Sequence, residues 1–200
     1  EELGGVIQMG TPVEKIEHVK RRYRLITTND AFSADQIIYT GPTSLFPKLF
    51  GQELRPKRKT HHYLHAQIMV LRLKKPFLDS SYWLNVTDPG YPFLVLVDHT
   101  NFVSPRHYAD EHIVYVGNYL PGGHEYLSKT PLELYKLFLP YLEQIKPGLH
   151  KLVKAYDVFT LAYAQAVVNR DYVSNMKKMG TGLKGVYMAN IDSVYPWDRG

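Results

Sequence analysis

Arg22-Tyr-Arg-Leu-Ile-Thr-Thr-Asn-Asp-Ala-Phe-Ser-Ala-Asp-Gln-Ile-Ile-Tyr39, closed by Thr40-Gly41-Pro42, is the stretch on which the fold turns. Arg22 to Thr28 alternates polar and apolar residues at a period of two, the pattern of a half-buried strand. Asn29-Asp30 supplies turn chemistry before the next strand, Phe32 to Tyr39. That strand becomes apolar on both sides at Ile37, Ile38 and Tyr39, so it is expected to run into a core. Upstream, Val13 to Val19 sets Val13, Ile16 and Val19 among charged residues, and Val6 to Met9 is a short apolar run read as a further strand. The N-terminal region therefore reads as a β-meander, after which Ser44 opens a short helix carrying Leu45, Phe46, Leu49 and Phe50.

Working outward, Tyr63 to Leu73 predicts a long strand stopped by Lys75-Pro76-Phe77. Tyr82 to Leu84, Phe93 to Val97 and His112 to Tyr119 predict three more, with only a bend expected at Ser104 to Tyr108. The clearest helix runs from about Thr130 to Ile145. Thr130 suits the N-cap, Pro131 the first helical position and Glu133 the third, which together make a capping box. Leu134, Phe138, Leu142 and Ile145 form its apolar stripe, and Pro147-Gly148 ends it. Strands at Val158 to Val168 and Val186 to Ala189 complete the series. The expected fold class is α+β: a mixed, largely antiparallel sheet with one long helix and one short one.

Composition removes several chemistries. The 200 residues contain no Cys, which excludes thiol nucleophiles, Cys-ligated zinc and iron–sulfur clusters, and agrees with a reducing, cytoplasmic setting. No apolar run reaches the ~20 residues of a membrane span. The net charge of +5 is concentrated in Lys20-Arg21-Arg22-Tyr23-Arg24 and Arg55-Pro56-Lys57-Arg58-Lys59. Both clusters read as a solvated turn and loop. They leave contact with phosphate or an anionic membrane surface open, and no nucleic-acid motif accompanies them.

Nine His residues invite a metal reading, but His61 and His65 share a strand face that His62 leaves, with no carboxylate at supporting spacing. They read as structural or surface histidines, and no metal is expected. There is no nucleophile elbow, phosphate loop or Gly-x-Gly-x-x-Gly after a strand. Asp98-His99-Thr100-Asn101, at the end of a buried strand, fits either a pocket lining or a set of turn hydrogen bonds.

Two segments carry a resemblance. Val6-Ile-Gln-Met-Gly-Thr-Pro-Val13-Glu-Lys-Ile16, with Phe32-Ser-Ala-Asp35-Gln-Ile-Ile38-Tyr-Thr-Gly-Pro42, resembles a signature of the flavin amine oxidase superfamily, which includes protoporphyrinogen oxidase and phytoene desaturase. Gly185-Val-Tyr-Met-Ala189-Asn-Ile-Asp192 through Trp197-Asp-Arg-Gly200 is similar to its last flavin-contacting strand and turn. Lys74-Lys-Pro-Phe77 falls where the family often ends a strand in Lys-x-Pro-Phe.

The resemblance implies the substrate domain of a two-domain flavoprotein, whose Rossmann unit would lie upstream of Glu1. It implies a division into residues 1–50 returning from the FAD domain, 51–180 binding substrate, and 181–200 forming the final strand and a flavin-facing turn. By residue, Val13 would lie beside the adenine and Thr40, Gly41 and Pro42 near the adenosine half. Asn190, Ile191 and Asp192 would approach the pyrophosphate and ribityl chain, and Trp197, Arg199 and Gly200 the isoalloxazine. FAD is the implied cofactor of the full-length protein, not expected to be retained by this stretch alone, which looks cut from something larger and inactive by itself. The implied reaction is hydride transfer from a substrate carbon to flavin N5, with a small molecule, a large apolar one included, as substrate. Two departures stand out: Asn190 replaces the family's glycine, and Gln67-Ile68 stands where amine oxidases carry a lysine. A sugar-nucleotide mutase using Arg55, Arg58 and Lys59 on substrate phosphates, and a non-enzymatic binding domain, are the alternatives.

Overall fold

A computed structural model of the chain describes residues 4–50, 62–176 and 179–195. The chain divides into two compact units, one from Glu1–His62 with Ala166–Gly200 and the other from Tyr63–Gln165.

The first unit starts with β1 (Val13–Val19), β2 (Arg22–Thr27) and β3 (Ala31–Ala34), an antiparallel meander in the order β1-β2-β3. The run Phe32 to Tyr39 is not one strand. It breaks at Asp35-Gln36, and β4 (Ile37–Tyr39) leaves the meander to pair in parallel with β10 (Val186–Met188). The break has a physical cause at each side. Arg22 holds the Asp35 carboxylate at 2.9 Å, while the Ile37 N–H donates to the Gly185 carbonyl at 2.8 Å. Ile37 is buried, but Ile38 is 68% exposed, so the expectation of a strand apolar on both sides fails at that residue. Val6 to Met9 forms no strand, and its apolar side chains lie open to solvent. The helix expected from Ser44 is α1 (Phe46–Phe50), preceded by a turn. Ile16, Tyr23, Ile37, Phe46, Val186 and Met188 make this unit's core.

The second unit is a five-stranded sheet in the order β6-β7-β8-β5-β9, from β5 (Tyr63–Leu73), β6 (Trp83–Asn85), β7 (Val95–Asp98), β8 (His112–Pro121) and β9 (Val153–Ala166). The pairing of β5 with β8 is antiparallel and unbroken from Leu64↔Pro121 to Leu73↔His112. A short 3-10 helix at Pro105–Tyr108 replaces the expected bend, and another forms at His99–Asn101. β9 starts five residues before its expected position and ends two before. Its early half is anchored where Tyr156 stacks on Tyr135 at 4.4 Å.

One face of this sheet is covered by α2 (Pro131–Ile145). Thr130 Oγ1 accepts from the Glu133 N–H and the Glu133 carboxylate accepts from the Thr130 N–H at 2.8 Å, closing the expected capping box. Leu134, Phe138 and Leu142 are buried against Met69, Leu71, Val114 and Val116, the period-3.6 stripe meeting the period-2 face of β5 and β8. The helix continues through Pro140 because this packing outweighs the one hydrogen bond that proline cannot donate. No helix among the described residues is long and apolar enough to cross a membrane.

The far end of α2 is held by a carboxylate. Glu143 accepts from the Gly148 N–H, the His150 N–H and His150 Nδ1, each at 2.7 Å. The His150 backbone N–H first, and its side chain next, lower the Glu143 carboxyl from 4.5 to about 2. A depressed folded value means the carboxylate stabilises the native state above pH 4.5, and this contribution fades as pH falls towards 2. Glu143→Gln should therefore cost about 1–2 kcal/mol at neutral pH. In urea titrations its difference from wild type should narrow steadily below pH 4.5.

Candidate functional site

The parallel pair β4 and β10 delivers two loops to one place. Val186 lies opposite Ile37, Tyr187 opposite Ile38 and Met188 opposite Tyr39, and the Ala189 N–H extends the ladder to the Tyr39 carbonyl at 3.0 Å. Both strands thus end at the same level, where the carboxyl ends of parallel strands leave a natural crevice for a ligand. β10 is entered through Gly185, whose φ of +78° a side chain would strain and whose Cβ would sit 3.1 Å from the Asp35 carbonyl.

Beyond these ends the loops 40–44 and 189–194 are tied together by side chains. Asp192 is wholly buried, and its Oδ2 accepts from the Thr43 N–H at 3.1 Å. Asn190 Nδ2 donates to the Gly41 carbonyl at 2.7 Å and to Thr43 Oγ1 at 3.2 Å, while the Thr43 hydroxyl reaches Met188 Sδ at 3.3 Å. Tyr172, from α3 (Tyr172–Asn175), donates to the Asp192 carbonyl at 3.3 Å. Burial, with Asp192 nearby, pushes its phenol up. At Gly41 an added Cβ would sit 2.6 Å from the Tyr39 hydroxyl oxygen, which is itself held by the Pro42 carbonyl at 2.9 Å. A side chain at position 41 would have to push the Tyr39 ring out of that bond.

Asn190, where the family pattern carries glycine, has φ −141° and ψ 176°, extended backbone that any residue adopts. The side chain is used instead of avoided: it bridges to the opposite loop. Three polar atoms around these loops, Ser44 Oγ, Asn190 Oδ1 and Ser193 Oγ, are buried with no hydrogen-bond partner among the described residues. Buried polar groups left unpaired are costly, so such a cluster indicates unused hydrogen-bonding capacity.

Of the residues singled out in the sequence, Thr40, Gly41, Pro42, Asn190, Ile191 and Asp192 are brought together here. Val13 is half-buried in β1 beside a register shift and packs on the core cluster that also holds Tyr39 and Met188. Trp197, Arg199 and Gly200 lie outside the described residues, as do His61 and the basic loop with Arg55, Arg58 and Lys59. Thr43 and Tyr172 were not anticipated. Thr43 adjoins the Gly41-Pro42 signal, but nothing near Tyr172 in sequence points to Asp192, twenty residues on.

In the sheet unit, Asp98 to Asn101 resolves into turn hydrogen bonds. Asp98 Oδ2 accepts from the Phe77 and Leu78 N–H groups at 3.0 and 2.8 Å, and Asn101 Nδ2 donates to the Leu78 and Ser81 carbonyls. Gln67 is buried on the helix side, donating to the Tyr126 carbonyl at 2.9 Å. Ile68 therefore points to the opposite face, with exposed Tyr119, Phe159 and Leu161.

Residues 1–191 match the family described as flavin containing amine oxidoreductase, and the chain belongs to that family. Solved structures of the same fold include a candidate protoporphyrinogen oxidase from Exiguobacterium, 17% identical, covering 91% of this chain and 42% of that one with a TM-score of 0.67. A reduced UDP-galactopyranose mutase is 12% identical, covering 86% of this chain and 38% of that one with a TM-score of 0.64. Putrescine oxidase bound to putrescine is 11% identical, covering 96% and 45% with a TM-score of 0.63. At these identities the likeness is one of fold, and the chain spans less than half the length of each of these proteins. No curated protein matches the sequence.

Asn190→Ala tests the tie between the loops. Losing its bonds to Gly41 and Thr43 should lower stability by about 1–2 kcal/mol, because a half-buried carbonyl loses its donor. Equilibrium denaturation measures it.

Proposed function

We propose that this chain is the substrate-binding part, with closing flavin-contacting loops, of an FAD-dependent oxidoreductase that removes hydride from a substrate carbon. The observation that carries the reading is the convergence of loops 40–44 and 189–194 around buried Asp192, with three polar atoms left unpaired beside it. Those atoms fit a ligand rich in hydroxyl and phosphate oxygens, as the middle of FAD is. FAD when bound supplies the two-electron acceptor at N5.

Each chain residue then has a task. Thr40, Gly41 and Pro42 offer backbone groups to the adenosine half, beside Val13. Asn190, Ile191 and Asp192 hold the pyrophosphate and ribityl region, with the Ser44 and Ser193 hydroxyls turning about χ1 to meet it. Trp197, Arg199 and Gly200 are assigned to the isoalloxazine by the resemblance alone, an arginine charge there being one that would favour negative charge on the pyrimidine edge. The exposed apolar face bearing Ile68, Tyr119, Phe159 and Leu161 suits a large apolar substrate. With Gln67-Ile68 where amine oxidases carry a lysine, carbon–carbon or carbon–oxygen oxidation fits no less well than amine oxidation. By itself the chain is expected to lose FAD during purification and to bind it only when FAD is added in excess.

Ser44→Ala and Ser193→Ala give a test that separates function from folding. Removing an unpaired buried hydroxyl should leave stability unchanged or slightly raised. FAD affinity, read by quenching of flavin fluorescence on titration with the chain, should fall by about threefold or more for each. Unchanged FAD affinity in both variants would contradict the assignment.

A further inference from the structure

The hairpin joining β1 to β2 presents a feature that the flavin reading does not use. Val19 pairs with Arg22, so the whole turn is Lys20-Arg21. Two-residue hairpin turns require positive φ and favour Gly or Asn, because other side chains are strained there. Here Lys20 takes φ +57°, so a cation occupies a position where glycine would cost less.

Around the turn is an open groove of about 710 Å³ lined by Val19, Lys20, Arg21, Arg22, Arg24 and Phe32 among others. Five cations (Lys15, Lys20, Arg21, Arg22, Arg24) and four carboxylates lie between Val13 and Asp35; Glu14, which accepts from the Thr28 hydroxyl, and Asp30 sit at the end of the meander away from this turn, leaving Glu17 and Asp35 near it. Both carboxylates are engaged: Glu17 with Lys15 at 2.8 Å, and Asp35 with Arg22 through Nε at 2.9 Å and Nη2 at 3.2 Å. Arg24 sits across from Glu17 in register, and the Lys15 ammonium, with Arg24 adding, keeps the Glu17 carboxyl below the usual range. Among the described residues, Lys20, Arg21 and Arg24 form no ion pair. Arg22 is thus scaffolding, its guanidinium fixed by Asp35, while Lys20, Arg21 and Arg24 line the groove without an ion pair among the described residues.

We propose that this groove binds a soluble organic anion carrying at least two phosphate groups. Lys20, Arg21 and Arg24, all in the groove lining, bring three positive charges to a diphosphate. Guanidinium groups bind phosphate oxygens through paired N–H donors, and Lys20 adds a mobile point charge at the rim. The hollow, with apolar Val19 and Phe32 in its lining, accommodates the organic part; a lipid bilayer would instead call for a flat or protruding basic surface. The strain at Lys20 is the cost of placing that charge at the turn.

Calorimetric titration of the chain with inorganic pyrophosphate at low salt tests this, alongside sedimentation with phosphatidylcholine vesicles containing about one-third phosphatidylserine. Pyrophosphate should bind the wild type and weaken with added salt. Arg21→Gln/Arg24→Gln should weaken it about tenfold, with the melting temperature unchanged because both side chains are exposed. Lys20→Gly should weaken it by a smaller factor and raise the melting temperature or leave it unchanged, since glycine relieves the strained turn. Equal pyrophosphate affinity in wild type and double variant would overturn the proposal, as would vesicle binding without pyrophosphate binding, or no binding of either.

Discussion

Everything at the site depends on a short parallel pairing between segments about 150 residues apart, Ile37–Tyr39 and Val186–Met188. Three residue pairs are too few to stand alone, and the pairing persists because its flanks are locked. At one end the Ile37 N–H binds the Gly185 carbonyl, and at the other the Asp192 carboxylate takes the Thr43 N–H while Asn190 spans to Gly41. Behind it Ile37, Val186, Met188 and Phe46 form the unit's core. Burying a carboxylate is expensive unless donors surround it, so Asp192 specifies one arrangement of the two loops and penalises others.

That constraint links folding to use. A site made from two loops closed by a buried carboxylate needs no large movement to present backbone and hydroxyl groups to a ligand. The same constraint accounts for Asn190. Its backbone is extended, so glycine's freedom is not needed, and the amide side chain becomes a brace across the loops. Asn190 thus stands where the resemblance carries glycine, with no strain in its backbone.

Much of this was legible in the sequence. β5 and the capping box of α2 follow from local pattern alone, because period-2 and period-3.6 burial faces and a Thr-Pro-x-Glu start are written within a few residues. What failed depended on distant partners. Phe32 to Tyr39 reads as one strand until Arg22 and Gly185 pull its halves to different sheets. Val6 to Met9 has strand-like composition but lies exposed, in no strand. The early half of β9 is polar enough to pass for a loop until Tyr156 meets Tyr135. At the site, Asn190 to Asp192 and Thr40 to Pro42 were visible as motifs, whereas Tyr172 enters only through the three-dimensional fold.

Hydrogen–deuterium exchange of the chain with and without FAD tests the central claim most directly. The account predicts slowed exchange at residues 40–44 and 189–194, with the α2 segment of the other unit unchanged. Slowed exchange confined to other segments, with none at these two loops, would contradict it.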